Sequence, residues 1–198
     1  MNTAAEARFL PPTQKHPVVR FSHEEIEYLW DVAKARFRTK RPTGNRDTYD
    51  GGKSILTVQF EAAKAEYAVC KALGAQLDTT VSPKGQPLGN IILPDGRRGN
   101  ARYRGNRGGD YALKNNRLEA FLGDVGFLVW PEKFNCAGCA VQVMGFITRE
   151  RFVTLASETE FSPERIRLTV PHVLMKPLTE VYQHDRIDPQ ETSQAALF

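Results

Sequence analysis

Five arginines and no acid lie between Arg97 and Arg107: Arg97, Arg98, Arg102, Arg104 and Arg107, set among glycines and asparagines. Guanidinium forks match phosphate oxygens in pairs, and glycine lets a backbone approach a phosphate closely. Tyr103 and Tyr111 are placed to stack on bases, although Tyr103 alternates to the face opposite Arg102 and equally suits a core. A second acid-free stretch from Val32 to Arg46 carries six bases, among them Arg36, Arg38, Lys40 and Arg41. Two local basic clusters on a chain of net charge +4 suggest a polyanionic partner, most simply nucleic acid. Asp110, followed by Lys114, is a looser acid–base candidate. Cys136-Ala-Gly-Cys139 has the spacing of half a zinc knuckle, but only Cys70 and four scattered histidines remain to complete it. The expectation is a hairpin loop with two reduced thiols and no metal site. His16, His23, His172 and His184 share no spacing with an acid or a serine, so a nucleophilic triad has no support.

These residues need a scaffold, and the chain has the material for one. It has 198 residues, 41% hydrophobic and 25% charged, which suits a soluble domain with a real core. No apolar run approaches the roughly 20 residues that span a bilayer. The first ten residues lack the pattern of a secretory leader, and three cysteines are too few for a disulfide framework. A cytoplasmic protein is therefore expected. Residues 1–21, with Pro11, Pro12 and Pro17, suggest a loose arm. Ser22, followed by Glu24 and Glu25, predicts a helix start, and Ile26, Leu29, Trp30, Ala33 and Phe37 continue it to about residue 40. A second helix is predicted from Ser54 to Leu73, ending at Gly74, with Phe60, Ala63, Tyr67 and Cys70 inward. Strands are predicted at 88–93 and 100–104 around the Pro94-Asp95-Gly96 turn, at 110–113, and as a pair at 125–130 and 140–147. A short helix is expected at 148–156, an extended segment at 168–178, and a polar, disordered tail at 183–198. This order predicts an α/β (α+β) domain over residues 22–182 with a mixed central sheet flanked by helices.

The stretch Phe60-Glu-Ala-Ala-Lys-Ala-Glu66-Tyr-Ala-Val-Cys-Lys-Ala-Leu-Gly74 resembles the first helix of PD-(D/E)xK nuclease-like proteins of bacteriophages. Gly123-Asp124-Val-Gly-Phe-Leu-Val-Trp130, Val143-Met-Gly145-Phe-Ile147 and Leu168-Thr-Val-Pro171 follow in the order of that family's later blocks. The resemblance covers about residues 25–180 and is one of pattern and order. It implies a restriction-endonuclease-like fold in which two carboxylates hold Mg²⁺ and a lysine serves the attacking water. At those positions the sequence departs from the family. Asn90 stands where the strand aspartate is expected, and Asn100-Ala101-Arg102 where the Glu-x-Lys triplet is expected. Amides are poor Mg²⁺ ligands, and arginine stays protonated. The resemblance thus implies a degenerate site of Glu66, Asn90, Asn100, Arg102 and Asp110 that takes no cofactor. An active Mg²⁺ nuclease using Glu66 and Asp110 is the alternative. For Glu66 a pairing role with Arg102 or Arg104 is the other reading.

The chain ends Gln194-Ala-Ala-Leu197-Phe198, which resembles the pentapeptide by which bacterial replication and repair proteins dock on the sliding clamp. Leu197 and Phe198 on a polar tail have no core of their own, and apolar side chains of this kind anchor such motifs. The expectation is a DNA-associated, phage-type protein with DNA and the bacterial clamp as partners and no membrane association. A clamp-binding inhibitor of host replication is the reading from another class.

Overall fold

The computed structural model describes residues 16–40, 54–80, 89–105, 107–113, 118–132, 139–162 and 165–182. The first helix, α1 (His23–Lys40), opens on a reciprocal capping box. Ser22 Oγ accepts from the Glu25 backbone N–H at 3.2 Å, and Glu25 Oε2 accepts from the Ser22 N–H at 2.8 Å. Helix α2 (Ile55–Leu73) is capped by Ser54, whose hydroxyl accepts from Thr57 N, and stops at Gly74 in the left-handed conformation, φ 65°. Glu25 joins the two helices: its carboxylate also accepts from Tyr67 Oη at 3.1 Å and from Lys71 Nζ at 2.8 Å.

A six-stranded mixed sheet carries these helices. Its strands are β1 (Val18–Arg20), β2 (Gln76–Leu77), β3 (Ile91–Ile92), β4 (Arg98–Tyr103), β6 (Val125–Pro131) and β7 (Ala140–Thr148), in the order β1-β7-β6-β4-β3-β2. Only β4 and β6 are parallel, with Asn100 opposite Gly126; the other neighbours are antiparallel. The crossover between β4 and β6 runs through β5 (Tyr111–Leu113), which belongs to a second, three-stranded sheet. That sheet is completed by the hairpin of β8 (Ser157–Ser162) and β9 (Arg165–Val170), which follows helix α3 (Arg149–Leu155).

Two apolar layers result. Leu29, Val32, Ala68, Val69, Ile91, Phe127 and Phe146 fill the layer between α1, α2 and the large sheet. Tyr111, Phe121, Leu128, Trp130, Met144 and Phe152 fill the layer with the second sheet and α3. Both faces of β6 are therefore covered, which is why it reads as an unbroken apolar run. Gly126 is required there: a Cβ at this position would lie 2.4 Å from the Tyr111 hydroxyl.

The mixed α+β class, both long helices and the hairpin around Pro94-Asp95-Gly96 agree with the sequence. Four features differ. Val18–Arg20, inside the expected loose arm, pairs with β7 as an edge strand. Strand β3 is only two residues long. The expected extended segment at 168–178 is a strand end followed by 3-10 turns at His172–Leu174 and Leu178–Glu180. The β8 strand, polar along much of its length, has no apolar alternation to announce it. The tail 183–198, with Gln194, Leu197 and Phe198, lies outside the described residues, as do Arg41, Lys114 and Cys136. Among the described residues no helix is long and apolar enough to cross a membrane.

Candidate functional site

Glu66 lies on the inward stripe of α2 formed by Gln59, Ala63, Glu66 and Cys70, all buried. It is 2% exposed. A carboxylate this deep needs compensation, and three side chains from three elements supply it. Arg36, on α1, donates from Nη1 to Oε2 at 2.8 Å. Asn90, just before β3, donates from Nδ2 to Oε1 at 2.8 Å. Asn100, on β4, donates from Nδ2 to the same oxygen at 3.4 Å. The structure therefore brings together three of the five positions expected for a degenerate site. The local backbone that sets Asn90 is tight: Gly89 has φ 85°, and a Cβ there would lie 2.2 Å from the Gly99 carbonyl oxygen.

The sequence places Arg36 among the DNA-binding residues, and the structure corrects this. The side chain is buried, 8% exposed, and its charge is spent on Glu66. A periodic signal for this exists: Leu29, Ala33 and Arg36 share one stripe of α1, and the first two are wholly buried. The ion pair also bears on the metal that the family resemblance implies. A divalent cation needs hard oxygens around it. Here one carboxylate faces a guanidinium and two amide N–H groups, all three of which donate to it. That set neutralises the carboxylate and offers no second anion, so it does not fit Mg²⁺. Among the described residues no group of three His, Cys, Asp or Glu side chains converges elsewhere. Two atoms of the cluster, Arg36 Nη2 and Asn100 Oδ1, are buried without a hydrogen-bond partner among the described residues. Glu66 also helps push the nearby Cys70 thiol up to about 12, burial being the larger cause.

Asp110 is not part of this cluster. It precedes β5, whose Tyr111 packs in the layer on the other face of the large sheet. Its Oδ1 accepts from the His172 backbone N–H at 2.9 Å and lies 3.0 Å from His172 Nδ1. Its carbonyl oxygen accepts from Arg104 Nε at 2.8 Å. The partners described for Asp110 are thus His172 and Arg104, whereas those described for Glu66 are Arg36, Asn90 and Asn100. Arg102 bonds to the Tyr111 hydroxyl.

The arginines expected to bind nucleic acid differ in availability. Arg97 is paired with Asp95 at 2.6 Å, and Arg98 with Asp78. Arg104 is half-buried. Arg38 and Arg107 are exposed, Arg107 donating to Gln142 Oε1 at 3.3 Å. The side chain of Lys40 lies outside the described residues. Tyr103 is half-buried with Lys64 Nζ 5.3 Å from its ring centre, so it belongs to the packing around α2. Among known proteins, no family and no curated protein matches this sequence.

Proposed function

We propose that this chain is a DNA-associated protein built on a PD-(D/E)xK nuclease-like domain whose metal site has been replaced by a buried ion pair. The observation that carries the reading is the convergence of Glu66, Asn90 and Asn100 on one point, closed by Arg36. These positions are 24 and 34 residues apart in sequence from Glu66, and the resemblance singles them out independently of their geometry. Replacing both strand carboxylates with amides would leave Glu66 as a lone buried anion, and Arg36 answers that charge. Arg36 Nη2 and Asn100 Oδ1, without a hydrogen-bond partner among the described residues, are in keeping with a site assembled for other contents.

In this reading the domain binds DNA without cutting it. The exposed Arg38 and Arg107 contribute phosphate contacts, and the C-terminal Gln194–Leu197–Phe198 motif tethers the protein to a bacterial sliding clamp. Binding to duplex DNA, followed by fluorescence anisotropy over a salt series, tests this. Neutralising Arg38 and Arg107 together should lower affinity for every sequence alike and reduce the salt slope by up to about two phosphate contacts. Salt-independent binding, or none, would favour a pure clamp-binding factor. Leu197→Ala with Phe198→Ala should abolish clamp binding and leave DNA binding intact.

A further inference from the structure

We infer that the indole of Trp30, with Arg38 further along α1, is a stacking site for the bases of an unpaired DNA strand. Helix α1 turns Leu29, Val32, Ala33 and Arg36 inward, all of them buried. Trp30, Lys34 and Arg38 form a neighbouring row of the same helix, spaced four residues apart. Trp30 is half-buried, and among the described residues it belongs to neither apolar layer. Its ring partner is Phe60 on α2, which itself packs against the core. The two rings are nearly parallel, 11° apart, with centres separated by 4.1 Å. The other ring pairs among the described residues are tilted or edge-on. Phe60 is braced in turn by Lys64, whose Nζ lies 5.5 Å from its ring centre and 5.3 Å from that of Tyr103. The indole is therefore held flat on a supported ring. Phe60 covers one of its faces, so the exposure of Trp30 lies on the rest of its surface.

A flat, pre-positioned indole is the element on which single-stranded nucleic acid stacks, because every base has a π-face to offer. In a duplex both faces of a base are covered by its neighbours, so such a platform acts on unpaired strands. The phosphates then need a cation nearby. Arg38 is exposed and forms no hydrogen bond or ion pair among the described residues. It lies about 12 Å along the helix axis from Trp30, a span that an extended strand covers within a few nucleotides. Lys34 stands between them, in an exposed pair with Asp31 at 3.0 Å. Exposed pairs of this kind hold weakly and yield readily to a phosphate. One flat ring followed by a row of cations matches the alternation of base and phosphate. It does not match an apolar peptide, which needs a continuous groove. The inference rests on the DNA-binding reading and adds to it the kind of strand that is bound.

The two tryptophans of the chain make the test specific. Trp130 is 4% exposed and its Nε1 donates to the Gly109 carbonyl, so a change of tryptophan emission on binding reports Trp30. The full chain is titrated with short oligo-dT and with a duplex of the same length, following tryptophan emission and the anisotropy of labelled DNA together. Oligo-dT should quench part of the emission, and the duplex should not. Trp30→Leu keeps apolar bulk over Phe60 and removes the π-face. It should abolish the quenching and weaken oligo-dT binding about tenfold, with duplex binding unchanged. Should Trp30→Leu fail to fold, Trp30→Phe takes its place and should lose the emission change while weakening oligo-dT binding about threefold. Oligo-dT binding without quenching overturns the inference, as does a folded Trp30 variant that binds oligo-dT like wild type or loses both DNAs alike. Binding of the duplex alone overturns it and leaves the DNA-binding reading standing, whereas binding of neither DNA overturns both.

Discussion

Removing Arg36 from the buried pair should cost this protein a large part of its stability. Arg36→Met keeps much of the side-chain volume and deletes the charge. Glu66, 2% exposed, is then left with two amide donors, one of them at a long 3.4 Å. Breaking a buried pair by removing one partner costs about 3–5 kcal/mol. Against a typical total of about 5–15 kcal/mol this is severe. For a chain of this size it corresponds to a fall in Tm of about 6–20 °C. Glu66→Gln should cost a comparable amount, because it leaves the Arg36 guanidinium buried and uncompensated. The double variant Arg36→Met/Glu66→Gln removes both charges, and the amide oxygen it introduces can still accept a hydrogen bond from Asn90. It should be more stable than either single variant. Urea unfolding at fixed ionic strength measures all four proteins, with an unchanged m-value certifying that the comparison is of like states. The reasoning is refuted if either single change costs less than about 1 kcal/mol, or if the double variant loses the sum of the two.

Three further outcomes follow from the geometry. The Glu25 carboxyl is held below its usual range by hydrogen bonds from Lys71, with smaller help from Ser22 and Tyr67. A depressed folded-state pKa gives stability that is present above the unfolded value of 4.5 and lost as pH falls through the folded one. Lys71→Met should therefore flatten acid destabilisation below about pH 5 in a series of thermal melts, and an unchanged acid limb would contradict the pairing. Burial raises the Cys70 thiol to about 12, whereas Cys139 is exposed. Alkylation at pH 8 followed by peptide mapping should label Cys139 and spare Cys70 until the protein is unfolded; early labelling of Cys70 would mean that α2 is not packed as described. Gly126→Ala drives a Cβ against the Tyr111 hydroxyl at 2.4 Å and should lower stability by about 1–3 kcal/mol, and a melt unchanged within error would show that Tyr111 yields freely.

Both helices are legible in the sequence because caps and periodicity agree there: Ser22 with Glu25, Ser54 with Thr57, and Gly74 in its left-handed stop. The β6–β7 pair is legible for its apolar composition. Edge strands are not, since β1 and β8 draw their pairing from a neighbour rather than from their own alternation. The site divides in the same way. Glu66, Asn90 and Asn100 are singled out together only by a resemblance of pattern, and in the fold they share hydrogen bonds. Arg36 reads as a surface residue from the company of Arg38, Lys40 and Arg41, although its stripe with Leu29 and Ala33 points inward. Charge density describes a segment, while helical phase describes a residue, and for Arg36 the phase decides. Asp110 groups with Glu66 in the sequence as one of the few acids among the strands, and its described partners are His172 and Arg104.

The central claim is that the Glu66 carboxylate is compensated by Arg36 rather than by a divalent cation. Titrating the wild-type protein with Mg²⁺ and Mn²⁺ by calorimetry, alongside incubation with plasmid and oligonucleotide DNA, tests it most directly. The account predicts no saturable binding tighter than about 1 mM and no nicking under any of these conditions. Saturable binding of either cation, or DNA cleavage, that disappears in Glu66→Gln would contradict it.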